Sequence, residues 1–265
     1  MSILLTIIFT LLGLSVGSFL NVCIDRLPVK RSLFYPGSAC DACHRKLSAI
    51  DLFPVVSYLW LRGRCRYCGA KIPARVLLVE VLTGALFFLA FWRFGLSAEF
   101  GITAFWCSVF LVIIFIDWEQ QLILNRMTYP GMLIAMVILG IDSLLPGPGI
   151  LRNIEFIPDT SIVSGLIGGG AGFIFFFIVF VISPRGIGMG DIKLALLIGL
   201  VTGFPLVIIA LLIGILLGGL VAVVLLAFRL KGRKDAIPYG TFLAIGPIIA
   251  LLWGAEIQSW YLGLF

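Results

Sequence analysis

Eight stretches of the chain are apolar for long enough, or nearly so, to cross a bilayer. They run roughly over 3–24, 76–94, 98–117, 128–146, 161–183, 192–204, 205–228 and 238–262. A helix needs about 20 such residues to span the hydrocarbon core, and only a helix or a closed barrel satisfies its own backbone there. The pattern dictates an all-α polytopic membrane protein with about eight transmembrane helices. Composition agrees. Of 265 residues 61% are hydrophobic and 12% charged, and the mean hydropathy is +1.17. Soluble domains carry about twice that share of charge. A soluble enzyme, a secreted disulfide scaffold and a disordered chain are therefore excluded.

The first stretch lacks a basic leader region and a small-residue cleavage site, so it reads as a retained helix. The sixth is the shortest. As a helix, 192–204 reaches only about 20 Å, and Pro205 follows at once. This helix either begins nearer Gly186 or is a short span starting inside the protein. A single helix over 192–228 is the main alternative, with Pro205 in its interior.

Charge sets the orientation. With the N-terminus outside, the inside loops are 25–75, 118–127, 184–191 and 229–237. Counting Arg75 and Lys193 at their edges, 17 of the 19 Lys/Arg fall inside, as cytosolic loops require. Both termini are then outside. The loop Asp142–Thr160, with three acids and one Arg, fits an outside position. The formal charge of +6 thus records placement in a lipid bilayer, and no nucleic-acid partner is expected. Gly168–Gly172 and Gly214–Gly218 have the small-residue spacing of helix contacts. The chain divides into a first transmembrane helix (1–24), a cytosolic loop (25–75) and a seven-helix membrane domain (76–265).

The loop holds ten Lys/Arg, three acids and four of the six cysteines. Cys40, Cys43, Cys65 and Cys68 form two CxxC pairs, 21 residues apart. The cytosol keeps thiols reduced, and two such pairs read as a four-cysteine zinc site. A full thiolate shell leaves no open position for water, so Zn2+ would be structural. It would staple a segment too small to fold well alone. His44 adjoins Cys43 as an alternative ligand. Arg45, Lys46, Arg64 and Arg66 would offset the charge of the cluster. Cys23 and Cys107 lie in spans and read as small buried apolar residues.

Ionisable groups within spans are functional candidates by default, and Glu80, Asp117 and Asp191 qualify. Asp117 ends the third span and Asp191 begins the sixth, which places both at the cytosolic edge. Two carboxylates in a half-dry site share one proton. That is the arrangement of an aspartic-protease dyad, in which one acid activates water and the other polarises the peptide carbonyl. Glycines around Asp191, at 186, 188 and 190, permit close backbone approach. Separately, Asp191 reads equally as a helix N-cap, and Asp117 as the point where a helix leaves the bilayer.

Gly188-Met189-Gly190-Asp191 matches the GxGD motif of intramembrane aspartyl proteases. Gly17-Ser18-Phe19-Leu20-Asn21-Val22-Cys23-Ile24-Asp25-Arg26-Leu27-Pro28 resembles the GSFLNVxIxRxP signature of type IV prepilin leader peptidases. The double CxxC loop, Arg75, Val79-Glu80-Val81-Leu82-Thr83-Gly84, Asp117 to Asn125 and Ile237 to Ala244 follow in that family's order. Two positions depart from it. Ile123-Leu124-Asn125 lacks the family's proline, and Asp41 stands where the first CxxC usually has one. Neither removes a thiolate or an acid.

The resemblance implies two activities in a bacterial inner membrane. The peptidase would cut the basic leader from prepilins and pseudopilins at the cytosolic face, with Asp117 and Asp191 as its pair. Gly188, Gly190, Glu119 and Lys193 would shape the substrate site. The N-terminal half would methylate the new amine with S-adenosylmethionine, at Asn21, Arg26, Arg75 and Glu80. Those four also read as a structural tie, with Asn21 and Glu80 joining the first two helices and the arginines anchoring the inner face. A peptidase without methylation, a transporter and a non-catalytic assembly protein are the alternatives. A transporter would carry midplane acids and an inverted repeat, and the acids here lie at the face.

Overall fold

The computed structural model describes residues 3–144, 161–182, 187–228 and 238–264. Among them the regular structure is helical, with no strand. The helices are α1 (Ile3–Arg26), α2 (Val56–Trp60), α3 (Ala74–Phe94), α4 (Ala98–Gln120), α5 (Asn125–Leu144), α6 (Ser161–Ile182), α7 (Met189–Thr202), α8 (Leu206–Ala227) and α9 (Tyr239–Leu262). A short 3-10 turn at Ala49–Leu52 precedes α2. All but α2 and α7 are long and apolar enough to cross a membrane. The protein is a multi-pass, all-helical membrane protein.

The expected sixth span is α7. It starts at Met189, earlier than 192, and its 14 residues reach about 21 Å. Its surroundings explain so short a helix. Every residue from Leu197 to Thr202 is buried, and α5, α6, α8 and α9 all pack against it. A helix apolar on every side belongs in a protein core. The single helix over 192–228 does not form. Gly203 ends α7 at φ +69, and Pro205 is the N-cap of α8. The Phe204 amide reaches Ser164 O at 3.0 Å, and the Ser164 hydroxyl donates to Phe204 O at 2.9 Å. A residue of α6 thus closes the turn.

The chain packs as two units, Met1–Val112 and Ile113–Phe265. In the first, α1 lies along α3. A Cβ on Gly13 would stand 2.6 Å from Phe87 Cβ, and one on Gly17 would stand 2.7 Å from Glu80 Cα. Phe9, Phe91 and Phe100 close this contact with ring centroids 4.7–5.6 Å apart. In the second unit, both small-residue spacings are helix contacts. A Cβ on Gly168 would lie 2.5 Å from Gly199 O, and one on Gly172 would lie 2.6 Å from Ala195 O. Gly214 and Gly218 face Leu243 and Tyr239 of α9 in the same manner.

Asp142 is not in a loop. It lies in α5, which runs on to Leu144, and it is 2% exposed. Glu155 and Asp159 lie outside the described residues.

Candidate functional site

The two CxxC segments of the first unit fold into equivalent turns. In each, the first cysteine's amide donates to the carbonyl five residues on, Cys40 to Arg45 at 3.0 Å and Cys65 to Ala70 at 2.8 Å. In each, the amide four residues on returns to that cysteine's carbonyl, from His44 at 2.8 Å and Gly69 at 2.9 Å. Isolated bridges, Ala39 with Lys46 and Arg64 with Lys71, close both turns. His44 and Gly69 hold the same place, and both have positive φ, +56 and +71. His44 therefore serves the turn through its backbone, and the cluster of possible metal ligands comprises the four cysteines.

All four Sγ atoms lie within 4.8 Å of one another, and Cys40 Sγ is 3.8 Å from Cys68 Sγ. Zn–S bonds of about 2.3 Å put tetrahedral sulfurs about 3.8 Å apart. The site fits a tetrahedral ion. Amides of Cys68 and Tyr67 pointing at the Cys65 sulfur lower its pKa to about 7. The Ala70 amide acts likewise on Cys68, but desolvation and the neighbouring thiols push that thiol up to about 12. Arg66 Nε pairs with Asp51 at 2.7 Å, and Arg45 stacks over Tyr67 at 4.4 Å. The Ser48 hydroxyl, at 2.7 Å, is the main cause holding the Asp51 carboxyl below its ordinary range. Asp51 thus fastens the second turn to the 3-10 segment. As one acid in a basic loop, it gives no sequence signal of that role.

A cavity of about 410 Å³ opens beside this loop within the first unit. Asn21, Arg26, Glu80, Asp25, Ser18 and Tyr58 are among its lining residues. Ligand sites fall in this size range. Asn21 Nδ2 donates to Val76 O at 3.0 Å, tying α1 to α3, while Asn21 Oδ1 is buried without a hydrogen-bond partner. Glu80 Oε2 accepts from the Val55 amide at 2.7 Å, and the Ser18 hydroxyl also reaches the carboxylate. Val55 has φ +62, which is costly for a β-branched residue. Arg26 donates to Ser32 O at 2.9 Å. Arg75 is not among the lining residues and pairs with Asp25 at 2.7 Å. The expected tie is therefore present, and a cavity lies beside it. Asn21 Oδ1 is thus a buried acceptor with no partner among the described residues, and the carboxylates of Glu80 and Asp25 also face the cavity.

In the second unit, Asp117 lies three residues before the end of α4 and Asp191 is the third residue of α7. They are 4% and 9% exposed. Ile123 links their surroundings: a Cβ on Gly190, beside Asp191, and one on Gly240, beside Asp117, would both meet its side chain. Asp191 is not the N-cap, a place held by Gly188. Its Oδ2 reaches back to the Gly188 amide at 2.9 Å, half of a capping box. Asp117 Oδ2 accepts from the Thr241 amide at 2.6 Å and the Thr241 hydroxyl at 2.9 Å. A Cβ on Gly190 would stand 3.0 Å from Ile123 Cβ, so that glycine packs the α4–α5 turn against α7. Lys193 Nζ donates to Asn125 Oδ1 at 2.9 Å and lies 5.1 Å from the Tyr129 ring centre. Glu119 is exposed, near the end of α4. Sequence reasoning does not single out Thr241. It falls within the Ile237 to Ala244 stretch of family resemblance, which gives it no role of its own.

Helices long and apolar enough to cross a membrane, with two carboxylates buried near helix ends, suit a class, the helical membrane peptidases. The model of the bacterial peptidase A24 N-terminal domain matches residues 11–94, and that of the type IV leader peptidase family matches 104–223, a range that contains both acids. A prepilin leader peptidase/N-methyltransferase of Bacillus subtilis is 32% identical over 259 residues, covering 98% of each chain. One of Pseudomonas putida is 33% identical over 274 residues, covering 94% of this chain and 91% of the relative. One of Pseudomonas aeruginosa is 31% identical over 280 residues, covering 95% and 91%. No solved structure matches significantly. The chain belongs to the type IV leader peptidase family, and it is an enzyme of the peptidase class.

Proposed function

We propose that this enzyme cleaves the basic leader from prepilins and pseudopilins by a two-aspartate mechanism, at the cytosolic face of a bacterial inner membrane. The observation that carries the proposal is the pair itself. Asp117 and Asp191 are both buried, and the side chain of Ile123 lies against Gly190, next to Asp191, and against Gly240, which touches Asp117. Burying a carboxylate in a span is costly, so such acids are functional candidates.

One carboxylate takes a proton from water as the oxygen attacks the scissile carbonyl carbon. The other, protonated, donates to the carbonyl oxygen. Collapse of the tetrahedral intermediate returns a hydroxyl proton to the second carboxylate and breaks the C–N bond, and the departing amine takes the first proton. The substrate helix must unwind first, because a helical peptide bond is shielded and hydrogen-bonded. Gly188, extended at the N-cap of α7, would let substrate backbone approach Asp191, and Gly190 lets the α4–α5 turn close beside it. Lys193 near the start of α7 and Glu119 near the end of α4 would border the substrate. Glu119 is the candidate for holding the basic leader.

The first unit would then methylate the new N-terminus. S-adenosylmethionine, when bound, supplies an electrophilic methyl group. Asn21, Glu80 and Arg26 would line its site, with Arg75 holding Asp25. The zinc turns would keep the loop folded over the cavity.

The test is cleavage of a synthetic prepilin by Asp117→Asn and Asp191→Asn in lipid. Each is expected to lose cleavage by about 100-fold or more while remaining folded. Normal processing by either variant would sink the pair. A transporter or an assembly protein would tolerate both changes.

A further inference from the structure

We propose that Thr241 is a positioning residue for the peptidase reaction, holding Asp117 through a single carboxylate oxygen. The inference rests on the two-aspartate mechanism above and adds a residue to it. Thr241 is the third residue of α9. Its amide is one of the donors that a helix start leaves without an internal partner. It goes to Asp117 Oδ2 at 2.6 Å, across 124 positions of sequence. The Thr241 hydroxyl donates to the same oxygen at 2.9 Å, with Ile114 O at 3.3 Å as its other neighbour. Thr241 is 3% exposed, which shields these bonds from bulk solvent.

The backbone can come this near because residue 240 has no side chain. A Cβ on Gly240 would stand 3.1 Å from Asp117 Cγ and 2.8 Å from Ile123 Cδ1. Two donors converging on one oxygen fix the carboxylate's plane. They leave Oδ1 for the reacting groups. Asp191 is treated alike, with its Oδ2 on the Gly188 amide. Each acid is pinned at one oxygen by a backbone amide at a helix start, and Asp117 has a hydroxyl besides. Bonds to an ionised acceptor are the strong ones, and displacing a catalytic group by about 1 Å costs on the order of 100-fold in rate.

A role confined to closing the start of α9 would also use these bonds, so the test must separate the two. Thr241→Val keeps the amide and the shape but loses the hydroxyl. Thr241→Ser keeps both donors. Each is measured with Asp117→Asn for cleavage of a synthetic prepilin in lipid, together with thermal unfolding. Thr241→Val is expected to lose roughly 10- to 100-fold in kcat, with KM within about twofold and Tm within about 2 °C. Thr241→Ser should return kcat to within about threefold of the parent. Thr241→Ala repeats the test if the valine does not fold. Full kcat in Thr241→Val, no rescue by serine, or loss of folding in both valine and alanine variants overturns the proposal. If Asp117→Asn cleaves normally, the two-aspartate mechanism fails instead. An inactive Asp117→Asn beside a fully active Thr241→Val removes Thr241 alone.

Discussion

Cys40 Sγ lies 3.8 Å from Cys68 Sγ, although 28 positions separate them. That is the edge of a tetrahedron of sulfurs around zinc and is too long for a disulfide. Purified protein should carry about one zinc per chain, measured by elemental analysis. Replacing Cys40 and Cys68 together by serine should remove it. Metal binding of this kind supplies roughly 10 kcal/mol or more of folding free energy in small zinc domains. The double variant should therefore be cut by protease within 30–72 while its helices stay in the membrane. Full metal content in that variant would refute the assignment.

The equivalence of His44 and Gly69 makes a separate prediction. Both follow the second cysteine of a pair, and both have positive φ. If His44 acts through its backbone, His44→Gly should keep the zinc and fold at least as well, because glycine adopts that conformation freely. His44→Val should weaken the loop by about 1–2 kcal/mol or more, seen as faster proteolysis and zinc loss to a chelator. A ligand role predicts instead that the glycine variant loses metal.

Much of this was legible in the sequence for one reason. A bilayer admits so few backbone solutions that apolar length alone locates the long helices. The four thiols were legible because metal geometry fixes their spacing. Less visible was anything decided by packing between distant segments. The 14-residue α7 looked too short for a span, because composition does not report that its sides are covered by α5, α6, α8 and α9. Asp142 looked like the start of a loop because an acid usually ends an apolar run, and here the helix continues past it. The resemblance over Ile237 to Ala244 takes in Thr241 without giving it a role, because only the fold brings it to an acid 124 positions away.

The proposed pairing of Asp117 with Asp191 predicts a kinetic signature. Two carboxylates that share a site titrate as a pair, in two macroscopic steps. Below the lower step both are protonated and no base remains to activate water. Above the upper step both are ionised and no acid remains for the carbonyl oxygen. Cleavage should therefore follow a bell-shaped pH profile, and a plateau across about pH 5 to 9 would count against a coupled pair. The profile should be taken with enzyme and substrate both in lipid, with folding checked at each pH.

The α6–α7 contact carries the short helix that bears Asp191. A Cβ on Gly199 would collide with the carbonyl of Gly168, and one on Gly168 would reach Gly199 O at 2.5 Å. Backbone cannot yield as a flexible side chain can, so even one methyl group must part the helices. Gly199→Ala should lower stability by about 1–3 kcal/mol and reduce cleavage as α7 shifts. Thermal unfolding in detergent checks the first effect and peptide turnover the second. Gly170, whose Cβ would meet nothing within 4 Å, is the control. Gly170→Ala should leave both unchanged.

The two units allow the two chemistries to be separated by mutation. Asn21 and Glu80 line a cavity in the first unit, and both acids belong to the second. Asn21→Ala removes the unpartnered Oδ1 along with the amide that holds Val76 O. Asn21→Asp keeps an oxygen at Oδ1 but puts an acceptor where that amide was a donor. If the oxygen serves the cofactor, alanine should lower methylation and S-adenosylmethionine affinity by about 10-fold or more, as losing one buried hydrogen-bond partner does. Aspartate should keep part of that affinity, although it breaks the link to Val76. If Asn21 only ties α1 to α3, both variants should lower thermal stability together and leave affinity per folded molecule unchanged. Cleavage with methylation read by mass, and cofactor binding by calorimetry, distinguish these outcomes. Glu80→Gln extends the test. It keeps the size of the side chain and removes the charge that would face a cationic sulfur, so it should weaken cofactor binding while leader removal continues at the parental rate.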